Sequence, residues 1–144
     1  MPSNFFTKEQ KAAIIEAIGS AELNTSGEIR VHIDSSCKED ALDQAAYIFK
    51  KLNMHKTEQR NGVLIYLALN DQKFAIIGDA GINSKVPADF WDKVKDDMLN
   101  HFKLGEFSEG LITGIHKAGE KLKAFFPLLP DDKNELPDDI SFGK

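Results

Sequence analysis

The chain is expected to fold as a small α/β/α sandwich, Rossmann-like, with a mixed sheet of three or four strands between helices. Three observations predict it. Glu28–Asp34 alternates apolar and polar residues, the period of a strand with one covered face. Val63–Leu69 is a continuous apolar run bounded by turn residues, as expected of a central strand covered on both faces. Between the two lies a segment with helical periodicity, and a strand–helix–strand crossover makes its strands parallel and right-handed.

The elements follow in order. Thr7 and Gln10 form a capping box, and Ala13, Ile14, Ala17, Ile18 and Ala21 recur at helical spacing, so a first helix spans about residues 8–23. Asn24–Gly27 breaks it ahead of the first strand. A second helix covers about 39–54, with Leu42, Ala45, Ala46, Ile48, Phe49 and Leu52 inward. After the Val63–Leu69 strand, Asn70-Asp71-Gln72 is too short for a parallel crossover, so Lys73–Ile77 must return antiparallel. Pro87 suits the first turn of a third helix, which buries Phe90, Trp91, Val94, Met98, Leu99 and Phe102. Ser108 serves as N-cap of a fourth helix, about 109–125, that buries Leu111, Ile112, Ile115, Ala118, Leu122 and Phe125 or Phe126 until Pro127 stops it. The folded domain therefore covers 1–126. Residues 127–144, with three prolines and five acids, read as a flexible acidic tail.

Bulk composition narrows the function. At 144 residues, with 42% hydrophobic and 28% charged side chains, one core can stand without disulfides or a structural metal. A net charge of −5 argues against nucleic acid, which needs clustered Lys and Arg on one face. Cys37, the sole cysteine, excludes an internal disulfide and a Cys-based zinc site, and reads as a loop or helix-start residue. Neither a leader with a long apolar stretch nor about 18 consecutive apolar residues is present, so a cytoplasmic, monomeric protein without a membrane span is expected.

Function is expected where three polar motifs meet. Thr25-Ser26-Gly27-Glu28 precedes strand 1, Arg60-Asn61-Gly62 precedes strand 2, and Gly78-Asp79-Ala80-Gly81 follows strand 3. With strands 1 and 2 parallel and strand 3 reversed, all three fall on one sheet edge. Glu28 and Asp79 could hold a hard cation, Ca²⁺ or Mg²⁺, with Asn61, Asn83 and Ser84 as neutral oxygen ligands. Asp79 and Asn61 are equally well explained as turn residues. Arg60, and more weakly Lys85, could clamp a phosphate or carboxylate, or pair with a surface acid such as Glu28 or Asp79. Asp34, Glu39, Asp40 and Asp71 fall at the opposite edge, as a second cation site or a solvated loop. His32, His55, His101 and His116 have no ligand spacing, and His32 reads as a partly exposed strand residue. No complete catalytic signature is present.

Four motifs carry a resemblance. Thr25-Ser26-Gly27-Glu28-Ile29-Arg30-Val31, Asn61-Gly62-Val63-Leu64-Ile65, Gly78-Asp79-Ala80-Gly81-Ile82 and Phe107-Ser108-Glu109-Gly110-Leu111 occur in this order across about residues 5–126. Together they resemble the TPM domain, named for thylakoid-lumen, photosystem-repair and receptor-modulating members. Phe90-Trp91 after Gly-Asp-x-Gly-Ile resembles its short bacterial branch. The resemblance implies an α/β/α sandwich, divalent cations at acidic loops and a phosphatase activity of plant members. It also implies that many relatives carry a signal peptide and a membrane anchor. Two readings stand. One is a weak metal-assisted phosphatase, with Asp79 and Arg60 catalytic and Glu28, Asp79, Asn61 and Asn83 around the cation. The other is a non-catalytic module that docks a protein of a membrane complex or its assembly factor.

Overall fold

The computed structural model describes residues 4–128 and 139–143. In chain order the elements are α1 (Lys8–Glu22), β1 (Glu28–Asp34), α2 (Ala41–Lys51), a single 3₁₀ turn (Met54–Lys56), β2 (Gly62–Ala68), β3 (Lys73–Gly78), α3 (Ala80–Asn83), α4 (Asp92–Lys103), α5 (Phe107–Lys123) and β4 (Ile140–Phe142). One four-stranded sheet runs in the order β3-β2-β1-β4. The pairs β1–β2 and β1–β4 are parallel, and β2–β3 is antiparallel. The parallel crossover and the returning hairpin are thus as the sequence implies.

Two cores follow from the strand period of two. Ile29, Val31, Ile33, Val63, Ile65, Leu67, Ile76 and Ile140 project to one face, where α1, α4 and α5 cover them. Leu64, Tyr66, Ala68 and Ala75 project to the other and pack with Ala45, Ile48 and Phe49 of α2. β2 is buried along its whole length because it has a core on each side. Close approach of α4 to α5 depends on Gly110 and Gly114. A Cβ at Gly110 would strike the Phe102 ring, and one at Gly114 would lie 2.9 Å from Met98 Cε.

Several local expectations are corrected. Ala13, Leu42, Ala46 and Leu99 are exposed, because α1, α2 and α4 each bury a narrower stripe than their apolar positions suggest. Ser108 is buried inside the first turn of α5 rather than capping it, and the cap position is Glu106. A short helix, α3, follows β3, with Asp79 as its cap. Ile140–Phe142, assigned by composition to a tail, instead adds an edge strand to β1, with Val31↔Ile140, His32↔Ser141 and Ile33↔Phe142 in register. The exposed ladder of β1 and an apolar gap that accepts Ile140 explain why so short a segment pairs. The remainder of the expected tail, 129–138 and 144, lies outside the described residues. No helix among the described residues is long and apolar enough to cross a membrane.

Candidate functional site

The three motifs do converge. Glu28 pairs with Gly62, Val63 with Gly78, and the Asp79 amide donates to Gly62 O at 2.9 Å. Glu28 and Asp79 therefore flank Gly62, their Cα atoms separated by two strand spacings, about 10 Å. Gly62 itself is roofed by the backbone of Met54, whose carbonyl oxygen lies 3.2 Å from where a Cβ would sit. Among the described residues, no three His, Cys, Asp or Glu side chains group so as to hold a metal ion.

What the edge does contain is a two-pronged ion pair. Arg60 Nε donates to Asp79 Oδ2 at 2.8 Å and a terminal nitrogen donates to Oδ1 at 2.9 Å. The guanidinium is half exposed while the Asp79 side chain is buried. Asp79 Oδ1 also accepts the Ala80 amide at 2.7 Å, so both carboxylate oxygens are engaged. Hydrogen bonding by Asp79, then its charge, raises the Arg60 pKa further above its ordinary value. Arg60 is held in the left-handed region at φ 52°, and its carbonyl accepts the Gly81 amide at 2.9 Å. Gly81 permits that approach, because a Cβ there would overlap Gln59 O and lie 2.6 Å from Arg60 O. Gly81→Ala should therefore displace the Arg60 loop and cost about 1–3 kcal/mol, measured by urea unfolding.

The neighbouring polar groups serve the fold. Asn61 is buried and its amide donates to Ser26 O at 3.2 Å and Ser26 Oγ at 3.4 Å. The Asn83 amide donates to Gly78 O at 3.1 Å, and Ser84 Oγ to Gly81 O at 3.2 Å. The Thr25 hydroxyl donates to Phe126 O and accepts the Gly27 amide at 3.1 Å, which fastens the first motif to the end of α5. Lys85 lies over the Phe126 ring, 4.7 Å from its centroid.

At the opposite edge the acids divide. Asp40 caps α2, accepting the amides of Leu42 and Asp43. Asp71 accepts the Cys37 amide at 2.6 Å, and Cys37 is buried. Asp34 is neither solvated nor a loop residue. It is buried beside His32, whose Nε2 lies 2.9 Å from Asp34 Oδ1, and Tyr66 OH donates to Oδ2 at 2.7 Å. Burial alone would raise the Asp34 pKa, but the hydrogen bonds from His32 and Tyr66 outweigh it and hold the carboxyl below its ordinary range. Burial first, then the bond to Asp34, drives the Tyr66 pKa upward. His32 Nδ1 lies 2.9 Å from Ser141 Oγ. His32 is buried rather than partly exposed, because β4 closes over its side of β1. The alternation that put His32 and Asp34 on one face was legible. Their partners, Tyr66 in an apolar run and Ser141 in an apparent tail, were not.

The comparisons agree with this architecture. A family model for the TPM domain matches residues 2–121. BA42 protein from the psychrophilic bacterium Bizionia argentinensis, solved by NMR, is 48% identical over 96% of each chain, with a TM-score of 0.91. The N-terminal domain of a protein from P. gingivalis, also solved by NMR, is 18% identical, with 86% of this chain and 80% of that one covered and a TM-score of 0.68. The N-terminal domain of cg2496 protein from Corynebacterium glutamicum is 10% identical, with 96% and 81% covered and a TM-score of 0.66. The last two share the fold. A search of curated proteins gives no match.

Proposed function

Because the chain belongs to the TPM domain family, we propose that its motif-bearing edge binds a phosphate ester together with a divalent cation and hydrolyses the ester slowly. The observation that carries this reading is the Arg60–Asp79 fork. A cation alone must compete with a guanidinium for Asp79, and an anion alone must compete with a carboxylate for Arg60. A cation–phosphate pair inserted into the fork satisfies both partners at once. The donor chemistry fits such a pair. Asp79 supplies the charge, Asn61 and Asn83 are the nearby neutral oxygens, and Glu28 stands one strand further across the row.

Each residue then has a distinct task. Arg60 orients the ester through two parallel N–H donors, held in place by its fixed backbone conformation and by the Gly81 contact. Asp79 holds its place at the start of α3 through the Ala80 amide. The cation, when bound, supplies polarisation of a phosphoryl oxygen.

Calorimetric titration tests the reading. Mg²⁺ or Ca²⁺ and phenyl phosphate should each bind weakly alone and more tightly in the presence of the other. Asp79→Asn should lose the cation and bind phenyl phosphate up to about five-fold more tightly, since the guanidinium no longer has a charged competitor. Arg60→Ala should do the reverse. Hydrolysis of p-nitrophenyl phosphate should stop with chelator and in Asp79→Asn. Independent binding of the two ligands, or hydrolysis that survives both treatments, would overturn it.

A further inference from the structure

The β1–β4 crevice holds a second constellation, on the opposite sheet edge from the fork. β1 and β4 are adjacent and parallel, and the chain leaves β1 through α2 toward β2, away from β4. Such a divergence opens a crevice at the carboxyl ends of parallel strands, a recurrent place for ligands. α2 packs over β2 and β3, so the β1–β4 half of that face is left to a cavity of about 420 Å³. His32, Asp34 and Ser141 line it, with Tyr47 and Phe142 as apolar walls and Lys51 as its ammonium.

Donor and acceptor capacity fixes the direction of the hydrogen bonds. Asp34 accepts Tyr66 OH on Oδ2, and an ionised carboxylate can only accept on Oδ1. In the neutral imidazole Nε2 must then carry the proton, so Nδ1 is the acceptor facing Ser141 Oγ at 2.9 Å. A hydroxyl, a basic nitrogen and an orienting carboxylate stand in series, with the last two buried. Gly143 completes the packing, since a Cβ there would overlap Asp34 Oδ1 and lie 2.9 Å from His32 Nε2.

We propose that Ser141 is a nucleophile, activated by His32 and oriented through Asp34, that takes small carboxylic esters from this cavity. Ser141 Oγ forms a bond to the ester carbonyl carbon as its proton passes to His32 Nδ1. The alkoxide leaves with that proton, and the acyl group remains on Ser141. Water then attacks the acyl carbon and gives its proton to Nδ1. The acid departs and Ser141 regains its proton. The negative charge that develops on the carbonyl oxygen would meet the ammonium of Lys51. Apolar Tyr47 and Phe142 suit a short alkyl or aryl acyl group, and the volume falls within the usual range of small-molecule sites.

The test is covalent labelling of the full chain by a fluorophosphonate, read by peptide mass spectrometry. Ser36 is exposed on the same cavity and serves as the internal comparison. One adduct is expected on Ser141, forming far faster than on Ser36 and absent in Ser141→Ala. His32→Gln should slow labelling by about 10²–10⁴-fold, the usual contribution of a positioned base. Asp34→Asn should slow it too, and ¹⁵N shifts of His32 should then report a proton moved from Nε2 to Nδ1, where it blocks the base, so that the labelling rate and the tautomer change together. Wild-type protein left unlabelled on Ser141, or labelled there no faster than on Ser36, overturns the proposal whether or not the variants fold. A labelling rate unchanged in folded His32→Gln overturns it as well.

Discussion

Ending the chain at Asp139 should destabilise the domain by about 2–4 kcal/mol, a loss of roughly 5–15 °C in melting temperature. The deletion removes Ile140, which is buried in the larger core, and would return its place to water. It also opens the ladder of β1, where the Gly143 amide donates to Ile33 O at 2.8 Å. Ser141 leaves His32 without its Nδ1 partner. Thermal unfolding by circular dichroism decides between this outcome and the one expected of a dispensable tail, which is a melting temperature moved by less than about 2 °C. Replacing Ile140 alone with Ala should reproduce part of the loss, about 1–2 kcal/mol, since the site lies at an edge that can relax.

Asp34→Ala should cost more, about 3–5 kcal/mol, because it leaves two buried partners without an acceptor. Tyr66 OH and His32 Nε2 both point at this carboxylate, and Tyr66 is fully buried. The loss should depend on pH in a defined direction. The hydrogen bonds from His32 and Tyr66 overcome the effect of burial and leave Asp34 with a folded pKa below its ordinary 3.8. A carboxyl more acidic in the folded state stabilises fully above the unfolded value and progressively less as pH falls through the folded one. Urea unfolding at several pH values should therefore show wild type and Asp34→Asn furthest apart near neutrality. The two should draw together below about pH 4. A gap that stays constant from pH 7 to pH 3 would place the stabilisation in packing rather than in the charge.

The two edges differ in how far sequence could read them. At the first edge, strand direction alone brings Glu28, Asn61 and Asp79 together, and direction follows from loop length and the crossover rule. Arg60 was recognisable as an anion clamp or a partner of Asp79, and the fold selects the ion pair. Its geometry depends on a left-handed backbone at Arg60 and on Gly81 far along the chain, neither of which has a periodic signature. At the second edge, Asp34 stands only two residues from His32, and alternation places both on one face. Nothing local marks Ser141 as their partner, since its segment is short and follows an acidic, proline-containing stretch.

The sequence by itself determined four of the helices and the first three strands, the parallel crossover, the reversed third strand and the convergence of three motifs on one edge. These rest on period, loop length and chain direction, all of which are local quantities. Tertiary structure decided which carboxylates are occupied. Asp79 is engaged because Gly81 lets the Arg60 loop close on it, and Asp34 is buried because β4 joins an open ladder more than a hundred residues along the chain. Pairing at such separation depends on the shape of the surface already formed, and no window of sequence contains that surface.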